Sequence, residues 1–460
     1  MLLIKNGYMI DPETGIEGKR DILIDEGKIL KIADCGTVLC GKMPPHSPHG
    51  DVNETAQNGT DDEGGSVGES NQAKSSCEPD IIDAEGCVVA PGLVDVHVHF
   101  RDPGFTQKED ILTGAAAAAK GGFTTVVMMA NTKPAIDTVD TLTYCLEKGK
   151  QTGIHVKACA NVTCGMKGKE LTDMKALANA GAVGFTDDGI PLRDPAIVRA
   201  AMEQVAELDF PISFHEEDPT YIDKNGINHG KASEFYGNGG SDRMAEISMV
   251  ERDLKLAIET GARIDIQHIS SKEAVQLVRE AKKMSSNIHA EATPHHFTLT
   301  EEACIEYGAF AKMNPPLREE ADRMAIVQGL ADGTIDMIAT DHAPHTTSEK
   351  KDVPITSAPS GIIGLETSLS LGITELVDKG YLTLRDLMIR MSTAPAKLYK
   401  LDAGYIAEGG PADLVIFDPK AKVVAGNYAS KAENSPFTGW ELTGRVEYTI
   451  CDGKVVYRDS

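Results

Sequence analysis

The chain has 460 residues, 41% of them hydrophobic, with 70 acidic against 45 basic side chains and a formal net charge of −25. That length allows about three domains, or one large barrel with a smaller companion, and a core that needs no disulfide staples. The acidic balance argues against nucleic acid or an anionic membrane surface as partner, and no run approaches the roughly 20 apolar residues of a membrane span.

The start, Met1-Leu2-Leu3-Ile4-Lys5-Asn6-Gly7, carries too short an apolar run for a signal peptide. The nine cysteines are scattered without paired spacing, so a reducing compartment and a cytoplasmic location are expected. Short β-rich runs follow at Leu2–Ile4, Asp21–Ile24 and Ile29–Ile32, with Asn6-Gly7 and Glu26-Gly27 as turns. From about Pro44 to Asp80 the composition shifts to Gly, Ser, Asn, Pro and acid, with Lys74 as its one lysine. Such a segment cannot bury enough surface to offset its ordering entropy, and it reads as a flexible acidic insertion. His46 and His49 within it read as loop residues rather than a metal pair.

The middle repeats one theme eight times. Apolar, β-branched runs occur at Val88–Val96, Thr124–Met129, Ile154–Ala160, Ala182–Phe185, Pro211–Phe214, Ile264–Ile269, Ile288–Ala292 and Ile335–Ala339. Helix-compatible segments such as Glu109–Lys120, Asp194–Glu207, Glu246–Thr260 and Ser271–Lys283 separate them. Strands buried on both faces and spaced by helices mean a parallel sheet, and eight such units fit a closed (β/α)₈ TIM barrel. At the far end Asp413–Phe417, Arg445–Ile450 and Lys454–Tyr457 are strand-like again, with Asp452-Gly453 as a type I′ turn. The division predicted is an α/β chain. Residues 1–43 and 81–90 form the N-terminal part of a small β-sandwich, 44–80 the insertion, 91–400 the barrel, and 401–460 the C-terminal part of the sandwich.

A barrel places its chemistry where each strand ends. The first run ends Asp95-Val96-His97-Val98-His99, and the side-chain period of two points His97 and His99 the same way. The fourth runs into Thr186-Asp187-Asp188-Gly189, the fifth ends at His215, the sixth has His268 near its end, and the eighth ends at Asp341-His342. Imidazoles and carboxylates suit zinc and similar divalent ions. Any one of these histidines alone reads as a core residue; the set, on one rim, reads as a metal site.

Three longer motifs carry a resemblance. Met313-Asn314-Pro315-Pro316-Leu317-Arg318, Ala339-Thr340-Asp341-His342-Ala343-Pro344-His345 and His97-Val98-His99-Phe100-Arg101-Asp102-Pro103-Gly104 are similar to signatures of the dihydroorotases, bacterial type I, in the amidohydrolase superfamily. The likeness runs through the barrel into the terminal strands, including Asn131-Thr132-Lys133-Pro134 and Thr293-Pro294-His295-His296, and omits the 44–80 insertion.

The resemblance implies two zinc ions per subunit, bridged by Asp188 and a hydroxide. His97, His99 and Asp341 would hold one ion, and His215 and His268 the other. Many relatives bridge with a carboxylated lysine on the fourth strand; the stretch Gly184–Gly189 has none, and Asp188 takes that place, with Asp187 as a hydrogen-bonding neighbour. Asp341 would act as catalytic base and then acid in the reversible hydrolysis of dihydroorotate to N-carbamoyl-L-aspartate, a step of pyrimidine biosynthesis. Arg101 would bind the exocyclic carboxylate of the substrate with His99, Asn131 and His345, while Asn314 and the Ser360-Gly361 backbone read the ring. The family commonly has an aromatic residue where this chain has Ser360, so any ring stacking there is lost.

Other features read as structural: His295-His296, Lys157, His155, His229, His289, the alanines at 115–119, and Trp440 with the Phe437-Thr438-Gly439 turn as terminal-sheet packing. Two further functions stand beside the leading one. An allantoinase or hydantoinase would be expected to keep the bridging lysine and to lack Arg101. A non-catalytic homologue serving as a partner of aspartate carbamoyltransferase would have lost ligands, and here all six are present. The partners expected are a small-molecule substrate, a second copy of the chain in a homodimer, and aspartate carbamoyltransferase within the family's range.

Overall fold

The computed structural model describes residues 1–37 and 79–459. The insertion expected over 44–80 therefore lies outside the described residues except for Pro79 and Asp80, and His46 and His49 lie outside them too.

Five strands open the chain: β1 (Leu2–Ile10), β2 (Glu17–Asp25), β3 (Lys28–Ala33), β4 (Asp80–Asp83) and β5 (Val88–Pro91). Eight follow as barrel strands: β6 (Leu93–Val98), β7 (Phe123–Met128), β8 (His155–Ala158), β9 (Phe185–Thr186), β10 (Pro211–Phe214), β11 (Arg263–Ile266), β12 (Ile288–Ala292) and β13 (Met337–Ile338). The last three are β14 (Leu414–Val424), β15 (Glu441–Cys451) and β16 (Lys454–Arg458).

The two chain ends share one eight-stranded sheet in the order β16-β15-β14-β5-β1-β2-β3, with β4 added beside β1. Two of its tight turns follow from backbone chemistry. Glu26-Gly27 (φ 47° and 77°) and Asp452-Gly453 (φ 49° and 71°) put two successive residues in the left-handed region, as a type I′ hairpin requires.

Asn6-Gly7 does not form the expected turn. Both residues lie inside β1, where pairing with β2 slips between Ile4 and Gly7. Asn6 there has φ 63° and its N–H donates to Asp21 Oδ1 at 2.9 Å, the signature of a bulge. The same short-range signal serves a turn or a bulge, and only the partner strand decides.

The run Val88–Val96 is also two strands rather than one. Residues 88–91 pair with β1 and β14 in the terminal sheet, and 93–98 pair with β7 in the barrel. Gly92 makes the join, because a Cβ there would lie 2.1 Å from Thr124 Oγ1. Both faces of the sheet centre are buried, which explains the unbroken apolar runs. Val88, Ala90, Val415 and Phe417 join the barrel's cluster, while Val89, Leu414 and Ile416 join a second cluster with Ile4, Ile22 and Ile24.

The barrel strands are parallel throughout, in the orders β6-β7-β8 and β9-β10-β11-β12-β13. Parallel bridges from Ala160 to Phe185 and from Val98 to His342 close the ring. The helices between strands start where sequence chemistry places them: Asp110, Asp194 and Ser271 cap Ile111–Lys120, Pro195–Leu208 and Lys272–Ala281 through their side chains, each worth about 1 kcal/mol. Phe437 and Trp440 belong to the large cluster that also holds Phe417, Val423 and Leu442 of the terminal sheet. Among the described residues no helix is long and apolar enough to cross a membrane, and the seven described cysteines are all unpaired.

Candidate metal centre

Four histidines and two aspartates meet at the C-terminal ends of the barrel strands. His97 is the next-to-last residue of β6, and His99 follows that strand; their ring centroids lie 5.3 Å apart. Asp188 follows β9, His215 follows β10, His268 lies two residues past β11, and Asp341 lies past β13. All six are buried. Arg101, His268 and Asp341 take left-handed backbone, at φ 60°, 34° and 45°. Non-glycine residues adopt that region at a cost, and such strain collects at functional sites.

The side chains converge on shared points. His97 Nε2 lies 3.5 Å from Asp188 Oδ1 and 3.6 Å from Asp341 Oδ1. His99 Nε2 lies 2.9 Å from Asp341 Oδ1 and 3.4 Å from Asp188 Oδ2. His215 Nδ1 and His268 Nε2 are 2.9 Å apart, and 3.6 and 3.7 Å from Asp188 Oδ1. Three overlapping triads, His97-His99-Asp188, His97-His268-Asp341 and Asp188-His215-His268, each have ligand atoms within 4.8 Å of one another.

The other ring nitrogens show which atoms are free to ligate. His97 Nδ1 sits 2.5 Å from Glu291 Oε1, His99 Nδ1 3.0 Å from Asn131 Oδ1, and His215 Nε2 3.1 Å from Glu217 Oε2. An acceptor there draws the ring proton to that nitrogen and leaves the opposite lone pair facing the aspartates. Lone pairs aimed at buried carboxylates repel unless a cation stands between them. His97 Nε2 indeed has no hydrogen-bond partner although it is buried. The donor set therefore fits divalent metal, with imidazole and carboxylate ligands of the borderline class.

The electrostatics agree. Burial opposes charge on His215, yet Asp188 and Glu217 outweigh it and hold the ring up to about 10, so the site calls for a positive charge that a metal ion would supply in place of the second ring proton. Asp188 is held well below the ordinary carboxylate range, because His97 and the other rings overcome the burial penalty. The pocket is built for positive charge.

Asp187 does different work. It accepts from Val162 N at 2.9 Å, Thr163 N at 3.2 Å, Asn161 Nδ2 at 3.2 Å and the Thr163 hydroxyl. It thus anchors the neighbouring loop while Asp188 faces the histidines.

Above the cluster is a cavity of about 140 Å³. Arg101, Asn131, Asn314 and Ser360 line it together with His99, His215, His268, Asp188 and Asp341. Among the described residues no lysine lines it. Arg101 Nε donates to Pro344 O at 3.3 Å, which aims the guanidinium. Asn131 Nδ2 donates to Asp188 O and Oδ2 at 3.1 and 3.2 Å, so its amide also ties His99 to Asp188. The Ser360 hydroxyl donates to Asn314 Oδ1 at 2.9 Å.

His345 and Gly361 sit behind this lining. His345 Nε2 donates to Ser360 O at 2.8 Å, and Lys108 Nζ donates to His345 Nδ1 at 3.1 Å. Burial, with Arg101 and Lys108 nearby, keeps the ring neutral by lowering it to about 3. Gly361 N–H donates to Lys312 O, and its carbonyl accepts from Asn434 Nδ2, both at 2.9 Å. A Cβ at Gly361 would lie 2.6 Å from Ala343 O, so the close approach of these two loops needs glycine.

Sequence reasoning missed Glu291, Glu217 and Asn434. Glu291 had a signal, a charge inside the apolar run of the seventh strand. Asn434 had none. It reaches from the segment between β14 and β15 to bridge Ala343 O, Gly361 O and His345 N at 2.9–3.0 Å. His295 and His296 are buried beside the centre; His296 bonds Thr293 Oγ1 and Pro315 O, in keeping with a structural role.

Known proteins are similar to this chain in sequence and fold. A family model described as dihydro-orotase-like matches residues 86–274, and one described as amidohydrolase family matches 340–457. L-Hydantoinase (dihydropyrimidinase) from Arthrobacter aurescens superposes with a TM-score of 0.82 at 25% identity, covering 99% of this chain and 96% of its own. D-Hydantoinase (dihydropyrimidinase) from Thermus sp. gives 0.78 at 24% identity, covering 100% and 96%, a likeness of fold. Fold and site together define a metal-dependent cyclic amidohydrolase. Dihydroorotase of Clostridioides difficile is 51% identical over 457 residues, covering 99% of this chain and all of that protein. Dihydroorotase of Clostridium acetobutylicum is 50% identical over 461 residues, covering all of both. The chain belongs to the dihydroorotase family.

Proposed function

We propose that this protein is a zinc-dependent dihydroorotase, opening the ring of dihydroorotate to N-carbamoyl-L-aspartate, and closing it in reverse, within pyrimidine biosynthesis. The observation that carries the reading is Arg101. A guanidinium lines the same 140 Å³ cavity as the histidine–aspartate cluster, so a fixed cation faces the exocyclic carboxylate of a substrate whose ring amide lies over the cluster. Allantoinase- or hydantoinase-type rings lack that carboxylate.

The donor set suits two zinc ions: His97, His99 and Asp341 would hold one, His215 and His268 the other, and Asp188 would serve both. When bound, they would acidify water and polarise the ring carbonyl. Glu291, Asn131 and Glu217 hold the three ring tautomers that keep ligand lone pairs inward. Arg101, with Asn131 beside it, orients the substrate carboxylate. Asn314 and Ser360 border the ring, and His345 positions Ser360 through its carbonyl. The Asp341 carboxylate takes the proton of the attacking water as its oxygen adds to the ring amide carbon. It returns that proton to the ring nitrogen as the carbon–nitrogen bond breaks. The reverse transfers close the ring.

The same reading takes the protein as a cytoplasmic homodimer, supported by the prevalence of two-fold assembly and, among the described residues, by the unpaired cysteines. Association with aspartate carbamoyltransferase rests on the family resemblance alone, and co-elution of the two proteins tests it. The test of the activity is cyclisation of N-carbamoyl-L-aspartate and hydrolysis of dihydroorotate by the purified chain, with metal analysis of the same sample. Turnover with bound zinc in both directions is expected. A folded, zinc-replete chain inert toward both compounds would overturn the proposal.

A further inference from the structure

A second set of metal-ligand side chains lies at the other end of the barrel. His155 begins β8, at the N-terminal end of a barrel strand and so away from the catalytic rim. Cys451 ends β15, and Asp452 begins the turn that follows it. Ligand atoms of His155, Cys451 and Asp452 all lie within 4.8 Å of one another. Asp413, just before β14, adds a carboxylate, with Oδ2 3.0 Å from His155 Nε2. Asp452 Oδ1 lies 3.7 Å from the same nitrogen, and Asp452 N–H donates to Asp413 Oδ1 at 2.8 Å.

We propose that His155, Asp413, Cys451 and Asp452 form a transition-metal site, for Zn²⁺ or an ion of like softness, that staples the barrel to the terminal sheet. One imidazole, one thiolate and two carboxylates make a four-ligand set, and a sulfur donor selects zinc or cobalt over magnesium or calcium. Two of the ligands are anchored as such a site needs: Cys451 is 2% exposed, and the Asp413 side chain is 4% exposed. Asp452 is on the solvent side, at 63%, which leaves an entry path. The simpler reading, a His155–Asp413 hydrogen bond with a protonated thiol nearby, accounts for one pair. The thiol also faces Thr124 O at 3.7 Å, but that contact does not account for a second carboxylate, Asp452 Oδ1, 3.7 Å from His155 Nε2 in a group whose ligand atoms all lie within 4.8 Å of one another.

The ligands come from positions 155, 413 and 451–452 and converge only in the folded chain. An ion held there binds the native state alone, so it raises stability by mass action. Binding releases the Cys451 proton to solvent.

The catalytic cluster contains no sulfur, which makes the two sites separable by spectroscopy. The full-length protein, stripped with chelator and reloaded with Co²⁺, should take up one equivalent beyond the catalytic complement. A thiolate-to-cobalt charge-transfer band in the near ultraviolet should accompany it. Cys451→Ser should abolish the band and the extra equivalent while leaving turnover of the reloaded enzyme unchanged. Asp452→Asn, at an exposed turn that tolerates change, should weaken Co²⁺ uptake at this site roughly tenfold or more. If Cys451→Ser does not fold, the Asp452→Asn titration decides alone. Absence of a thiolate band in the folded wild type at saturating Co²⁺, a band surviving Cys451→Ser, or unaltered Co²⁺ affinity in Asp452→Asn would overturn the proposal.

Discussion

Glu291 Oε1 lies 2.5 Å from His97 Nδ1, and both side chains are fully buried. The carboxylate also accepts from His268 N–H at 3.2 Å, so one side chain braces two candidate ligands from different strands. Removing its charge should let His97 choose the wrong tautomer. Glu291→Gln should bind metal on the order of 10–100-fold more weakly with the fold retained. Metal titration alongside far-ultraviolet circular dichroism checks this; wild-type affinity in a folded variant would leave Glu291 without an orienting role.

The paired aspartates should separate cleanly. Asp188 faces four histidines, whereas Asp187 accepts four hydrogen bonds from the 161–163 loop. Asp188→Ala should lose metal content and turnover together. Asp187→Ala should lose about 1–3 kcal/mol of stability through unsatisfied buried donors, and keep its metal. Metal content and denaturant midpoints of both variants measure the contrast, and a metal-depleted Asp187→Ala would reverse the assignment.

Arg101→Met preserves the stem but deletes the guanidinium. Metal content should remain normal while kcat/KM for dihydroorotate falls, by an amount corresponding to about 2–5 kcal/mol for a charge pair cut at one partner. Dihydrouracil, which has no exocyclic carboxylate, is the control. Equal losses on both rings would make the arginine structural and remove the main support for the substrate assignment.

Lys350 is 1% exposed and donates to Pro359 O at 2.9 Å; Lys312 donates to the adjacent Ala358 O at 2.8 Å. Together they hold the loop that carries Ser360. Burial, with Lys312 nearby, lowers Lys350 from 10.5 to about 7. The folded chain therefore binds fewer protons than the unfolded one between those values. The cost of charging Lys350 is fully present below about pH 7 and relieved as pH rises toward 10.5. It is on the order of a few kcal/mol. Urea midpoints should climb with pH across that window in the wild type and climb less in Lys350→Met. Parallel slopes would show that Lys350 titrates normally.

The sequence alone determined the barrel and the candidate ligands, because both rest on local periodicity. Eight buried runs spaced by helices admit few topologies, and His97-Val98-His99 places two rings on one side whatever the rest of the chain does. The hairpin at Asp452-Gly453 was equally legible, since only residues tolerant of left-handed backbone make that turn. What depended on a partner strand was not. Whether Asn6-Gly7 turns or bulges, and where Val88–Val96 passes from sheet to barrel at Gly92, are decided by pairing with distant strands. Equally, nothing local shows that Glu291 will meet His97, 194 residues away in the chain, or that Asn434 will join the two loops holding His345 and Gly361. Local pattern names the candidate ligands; tertiary packing chooses their tautomers, and with them the lone pairs that can hold a metal.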